Sequence, residues 1–255
     1  QGFIVSLDRD FRVGDYNRRY WRTINNGFVP YRALAPVSYP EFQGVRLDDT
    51  TGLPIGYILS RRDAFYVRTE RGRVRRGGRL DFQHRLDIVG EETIGNATYL
   101  VADDGRLYRE RDVRRIAPRE RPEEVGPREK WIEIDLEEQY LIAYEGEIPV
   151  YATLISSGRA YHPDDPEADF LTPTGLFRIR AKHLAATMDG DTAVDGPYSI
   201  DDVPWVMYFQ LAYALHGACW HRAFGFPRSH GCVNLAPRDA QWVFNWSDPP
   251  VPDGW

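Results

Sequence analysis

Leu215-His216-Gly217-Ala218-Cys219-Trp220-His221-Arg222-Ala223-Phe224-Gly225-Phe226-Pro227-Arg228-Ser229-His230-Gly231-Cys232-Val233-Asn234-Leu235 holds both cysteines of the chain and three of its six histidines. Three readings compete for it. A zinc site would draw on these side chains, but their spacing fits no common structural zinc pattern. A structural reading treats cysteine as a small buried hydrophobe and histidine as a satisfied core group. That suits Cys219, His84, His162 and His183, but it explains poorly a cysteine preceded by Ser229-His230-Gly231. The third reading is a nucleophilic thiol with a histidine base. The attacking species is the thiolate, which an adjacent imidazole favours by lowering a thiol pKa of about 8.5. The same imidazole can return the proton to a leaving amine. Gly231 lets the backbone approach a substrate carbonyl, and nearby N–H groups would stabilise an oxyanion.

The flanks of this stretch read as strands with few helices. Pro237 fits a first helical position, so a helix is expected over about 238–246, with Ala240, Val243 and Phe244 on one side. Pro204 to Phe209 reads as a strand whose period of two puts Trp205, Met207 and Phe209 on one face. The alternation in Trp131-Ile132-Glu133-Ile134-Asp135-Leu136 opens a run of antiparallel strands over 131–181.

Ala117 to Arg128 is proline-rich and charged and reads as a linker. Before it lie two hairpin signals, Tyr20 to Pro30 around Asn25-Asn26-Gly27, and Thr98 to Tyr108 around Asp103-Asp104-Gly105. Asn-Gly and Asp-Gly tolerate the positive φ that tight turns need.

Hydrophobic residues make up 42% of the 255 residues, which supports a packed core and excludes a disordered chain. No apolar run approaches the roughly 20 residues of a membrane helix. The chain begins at Gln1 rather than Met, so an upstream piece has been removed; a signal peptide is one reading of it. The net charge of −6 divides unevenly. Residues 1–126 carry 23 arginines, no lysine and a net +4, whereas residues 127–255 carry −10. Acids interspersed among the arginines argue against nucleic-acid binding. The excess suits an anionic polymer or simply a solvated surface.

The pattern His216-Gly217, followed by Ser229-His230-Gly231-Cys232-Val233-Asn234, resembles the signature of the L,D-transpeptidase (YkuD-type) catalytic domain. Thr172-Pro173-Thr174-Gly175-Leu176-Phe177, Tyr213-Ala214-Leu215 and Ala236 to Trp242 extend the resemblance over about 131–247. The segment Thr98 to Val113 is also similar to the end of bacterial SH3-like modules. The resemblance implies a mostly β fold: a β-sandwich or barrel-like catalytic domain at 129–255 with few short helices. A linker at 119–128 and a smaller β-rich, SH3-like domain at 1–118 would precede it.

The resemblance also implies roles. Cys232 would be the acylated nucleophile, His216 its base and the Gly217 carbonyl the group that orients His216. The Gly231 and Cys232 N–H groups would form the oxyanion hole, and His230 would shape the pocket. Ser229, Arg228 and Asn234 would line or brace the loop. Residues from about 183 to 208 would form a lid, from which Tyr198, Trp205 and Met207 could face substrate; for at least one of Trp205 and Met207 a place in the core of the strand is the favoured reading.

Cys219 is expected in the core, with a disulfide to Cys232 left open. The implied reaction is cofactor-free acyl transfer between peptidoglycan stem peptides, forming 3–3 cross-links outside the cytoplasmic membrane. Carboxypeptidase, cross-link hydrolase or protein-attachment activity would use the same thiol. A non-catalytic wall-binding module and a metal-binding protein are the remaining alternatives.

Overall fold

Turn chemistry and short β-branched or aromatic runs give strands along most of the chain. The computed structural model describes residues 4–13, 18–60, 64–160, 170–190 and 198–251. They form two compact units, one of residues 42–156 with 223–227, the other of residues 1–41, 157–222 and 228–255. Neither unit is one continuous stretch, and the proline-rich 117–128 lies inside the first.

The second unit starts with an antiparallel sheet of β1 (Leu7–Val13), β2 (Arg18–Thr23) and β3 (Phe28–Pro30). The expected Asn-Gly turn joins β2 to β3, with Asn26 at φ 60° and the Gly27 N–H donating to Thr23 Oγ1 at 2.9 Å.

The first unit holds β4 (Val45–Arg46), β5 (Ile55–Ile58), β6 (Ala64–Arg68), β7 (Val74–Arg79), β8 (His84–Ile94), β9 (Ala97–Ala102), β10 (Leu107–Arg109) and β11 (Val113–Ile116). It also holds β12 (Lys130–Asp135), β13 (Tyr140–Glu145) and β14 (Ile148–Leu154). Seven strands form one sheet in the order β11-β5-β8-β9-β10-β6-β7, which leaves β7 at an edge. The second expected hairpin joins β9 to β10, with Gly105 at φ 76°. Ile58, Leu86, Leu100 and Tyr108 are buried together in this sheet's core. A four-stranded sheet runs β12-β13-β14-β4, and the first five of β13's six residues are buried. The linker-like stretch is tied down: the Arg119 N–H donates to Tyr144 Oη at 2.9 Å, and Val125 is buried.

The rest of the second unit is β15 (Ala181–Gly190), β16 (Tyr198–Gln210), β17 (Tyr213–Gly217), β18 (Val233–Leu235) and α1 (Pro237–Trp246). Their sheet runs β15-β16-β17-β18, antiparallel except for the parallel β17/β18 pair. Residues expected to form a lid are thus mainly a long β hairpin; its connection at 191–197 lies outside the described residues, as does His162. Residues 170–180, which include the Thr-Pro-Thr-Gly motif, form no strand.

Helix α1 begins with Pro237 at its first turn and buries Ala240, Val243 and Phe244. Its last turn carries no basic residue of its own. Lys182 Nζ from β15 supplies the cation, donating to the carbonyls of Phe244 (2.5 Å), Ser247 (2.7 Å) and Pro249 (2.9 Å). This satisfies carbonyls that a helix end leaves orphaned and opposes the negative end of its dipole.

Candidate active site

The parallel pairing of β17 with β18 brings the distant motif residues together. His216 lies opposite Asn234, and Leu215 opposite Val233. Cys232 immediately precedes β18, two positions before Asn234, so the pleat directs it to the side of Asn234 and His216. His216, Cys232 and Asn234 line one cleft with Tyr198, Arg228, Ser229 and His230.

His216 is buried, and its Nδ1 lies 3.2 Å from the Gly217 carbonyl. A carbonyl only accepts, so Nδ1 carries the proton and Nε2 keeps its lone pair. Burial pushes the His216 pKa down to about 4, against the smaller upward pull of that carbonyl. Cys232 packs against Val203, Val206 and Ala214, and its Sγ donates to the Ala212 carbonyl at 3.8 Å. Burial pushes this thiol up to about 11. Desolvation disfavours the charged form of each group, the opposite direction to an imidazole-lowered thiol.

The loop before Cys232 is braced at every step. The Arg228 and Ser229 N–H groups both donate to the Ser157 carbonyl, at 2.9 and 3.0 Å. Ser229 Oγ accepts the Gly231 N–H at 3.0 Å and donates to the Cys232 carbonyl. The Gly231 N–H is thus engaged by Ser229 Oγ. Gly231 has φ 117°, and a Cβ there would lie 2.4 Å from Tyr213 Cε1, so only glycine fits. His230 is held between two rings, tilted over Tyr198 (centroids 4.7 Å) and edge-on to Phe170 (4.4 Å).

Trp205 and Met207 sit on the core side, the place favoured for at least one of them, and not among the cleft-lining residues. They share a face, as their spacing requires, and it is the face toward α1. Trp205 meets Phe244 edge-on at 5.3 Å, and fully buried Met207 accepts a hydrogen bond from Ser247 Oγ at 3.6 Å. Tyr208, of the opposite parity, borders the cleft. Cys219 is misplaced by the sequence reading: it lines the cleft, half-buried, with burial raising its pKa. Both cysteines are free. Among the described residues no group of three or more His, Cys, Asp or Glu side chains is arranged to hold a metal ion.

Two contributors were missed. Thr172 is buried against Gly231, and His221 lines the cleft with its Nε2 3.1 Å from Asn234 Nδ2. Burial, then the Arg228 charge, pushes the His221 pKa down to about 4. Its position among the clustered histidines is the signal the sequence offers for it.

A predominantly β chain with a buried histidine on one of two parallel strands and a cysteine just before the other defines a histidine–cysteine cleft protein. Residues 129–252 match the family model of the L,D-transpeptidase catalytic domain, YkuD, and this part of the chain is such a domain. The crystal structure of an Enterococcus faecium L,D-transpeptidase is 25% identical with TM-score 0.41, over 49% of this chain and 47% of that one. The chain thus spans about half the length of that relative. The NMR structure of the E. faecium catalytic domain is 29% identical with TM-score 0.39, over 48% of this chain and 92% of that one. An L,D-transpeptidase from Mycobacterium smegmatis is 13% identical with TM-score 0.38, over 96% and 89%. No curated protein matches the sequence.

Proposed function

We propose that the protein is a peptidoglycan L,D-transpeptidase that works by cysteine acyl transfer. The observation that carries this reading is the shared cleft of His216 and Cys232, with the Gly217 carbonyl fixing the proton on His216 Nδ1. His216 Nε2 takes the proton from Cys232 as Sγ attacks the carbonyl of the L-centre before the terminal D-alanine of a stem tetrapeptide. His216 then gives that proton to the departing D-alanine amine, leaving a thioester on Cys232. The side-chain amine of a second stem attacks the thioester, the thiol is restored, and a 3–3 cross-link results.

Because both groups rest neutral, proton transfer accompanies attack instead of preceding it. The Cys232 N–H serves the oxyanion in place of the Gly231 N–H. Tyr198, Arg228 and Asn234 contact the stems. The reaction needs no cofactor, and it places the protein in the periplasm or cell envelope. Water as the acceptor would turn the same thioester chemistry into carboxypeptidase activity.

The test is incubation with a diaminopimelate-containing disaccharide-tetrapeptide, read by mass spectrometry beside Cys232→Ala. A Cys232-dependent dimer lacking one D-alanine is expected. Tripeptide without dimer would make the protein a carboxypeptidase, and no adduct or turnover would overturn the reading. A carbapenem is a convenient second acylating probe, because ertapenem acylates the E. faecium catalytic domain.

A further inference from the structure

We infer that the hairpin of β6 and β7 is a binding site for a phosphate-bearing linear polymer that carries no bases. The inference stands on the hairpin's own charge and geometry and goes beyond the catalytic reading. Between Ala64 and Arg79 there are six arginines, no lysine and one acid, Glu70. That stretch is +5 in a chain whose total is −6. All six arginines are exposed. Averaged over residues 1–126 the arginines are diluted by acids, but these six fall within residues 68–79.

The tip is ordered. The Thr69 N–H donates to the Arg73 carbonyl at 2.8 Å, Thr69 Oγ1 accepts the Arg73 N–H at 3.1 Å, and Gly72 makes the turn at φ 71°. Arg68, Arg71, Arg73 and Arg75 border one concavity there, with Glu70 the single acid. Arg68 has its own carboxylate, Glu92. With Arg68 paired to Glu92, Arg71, Arg73 and Arg75 leave an excess of positive charge at the tip that an anion would offset.

An edge strand often carries charge simply to prevent sheet-to-sheet pairing. That purpose accounts for charge along β7, but not for Arg71 and Arg73, which lie in the turn outside both strands. Arginine forks make two-pronged contacts to phosphate oxygens, as they also do to carboxylates, so a polycarboxylate is the competing occupant. β7 also ends the sheet, so an extended polymer can run beside it.

Nucleic acid is the less favoured occupant. Single-stranded binding needs open aromatic faces for base stacking. The two rings of β6 are already covered: the Arg106 guanidinium sits 4.3 Å over Phe65, and that of Arg109 lies 5.2 Å over Tyr66. Gly77 and Gly78 lie beneath Phe65, where a Cβ at Gly77 would be 2.1 Å from the ring.

The test is binding of the full chain to long-chain inorganic polyphosphate across a salt series, beside poly-L-glutamate and oligo-dT of matched charge. The wild type should prefer polyphosphate over both. The triple variant Arg71→Ser, Arg73→Ser, Arg75→Ser should bind at least roughly tenfold more weakly. Its slope of log affinity against log salt should be shallower by about 2, as expected for three lost phosphate contacts. The Arg→Lys triple should fall between the two.

A control triple, Arg85→Ser, Arg111→Ser, Arg115→Ser, removes equal charge elsewhere and should bind like the wild type. Unchanged thermal unfolding and unchanged Cys232 alkylation identify properly folded variants, whether or not transpeptidation is observed. No polyphosphate binding, equal loss in the control, equal or tighter binding of polyglutamate, or tighter binding of oligo-dT would each overturn the inference.

Discussion

Thr172 Oγ1 donates to the Gly231 carbonyl at 2.8 Å and accepts the Gly158 N–H at 2.9 Å. One buried hydroxyl therefore joins the loop before Cys232 to the backbone at Gly158, which itself bridges Ser229. The backbone of the nucleophile loop is held by this clasp and by Ser157, so its geometry depends on residues far from the motif.

Thr172→Val keeps the shape and leaves both backbone groups buried without partners. The expected loss is about 2–4 kcal/mol, because each unpaired group bears its desolvation cost. Thr172→Ser keeps both hydrogen bonds and gives up one methyl, about 1 kcal/mol. Denaturant unfolding of the two variants measures the difference, and equal losses would show that the hydroxyl is not the clasp.

Gly158→Ala should be among the most damaging small substitutions. The added Cβ would lie 1.8 Å from the Phe170 carbonyl oxygen, 2.8 Å from Thr172 N and 2.9 Å from Gly231 Cα. All three are backbone atoms, so no side chain can turn aside, and a cost of at least about 3 kcal/mol is expected. Gly95→Ala, at φ 63° in open space, should cost only about 1 kcal/mol. Unfolding midpoints of the pair check this.

Burial raises the Cys232 thiol to about 11, so the neutral thiol is the folded form below that pH and thiolate grows as pH rises. In a Cys219→Ala background, iodoacetamide alkylation of the substrate-free protein should accelerate about tenfold per pH unit from pH 7 to 10. A rate already level near pH 7 would mean a preformed thiolate–imidazolium pair and would contradict the desolvated resting state.

The sequence disclosed what local chemistry determines. Asn26 and Gly105 marked their turns, Pro237 marked the start of α1, and the spacing of Trp205 and Met207 put them on one face. It did not disclose which surface that face meets, because period two gives parity and not direction; only the packing of α1 on β16 decides. Thr172 and Gly158 were illegible as partners of Gly231 because a clasp across 59 positions leaves no periodic trace. The arginine concentration was hidden by averaging over half the chain, whereas a hairpin brings residues on either side of a turn into one hollow.

Acid should weaken the fold through His216. Its folded pKa, about 4, is depressed below the ordinary value of 6.5, so the neutral ring favours the native state. That contribution is complete above about pH 6.5 and is lost as pH falls toward 4, where the unfolded chain takes up the proton first. The size is about 3 kcal/mol. His216→Gln should flatten the decline in unfolding free energy between pH 6.5 and 4; an unchanged slope would show that another group governs it.

His221 should act on the reaction through Asn234. Asn234 Nδ2 lies 3.1 Å from His221 Nε2, which burial keeps neutral and able to accept. The amide's Oδ1 is buried and without a hydrogen-bond partner among the described residues, and Asn234 borders the cleft, so an amide held at Nδ2 offers that acceptor to a substrate N–H. His221→Gln retains an acceptor for Nδ2, whereas His221→Leu releases the amide to rotate. Leu should raise KM for the stem peptide roughly tenfold, about 1.4 kcal/mol, and Gln by less than about threefold. Both should leave Cys232 alkylation intact, because neither touches the His216–Gly217 hydrogen bond. A common loss in KM for Leu and Gln would assign His221 to packing, and a loss confined to kcat would place it at the proton transfer instead.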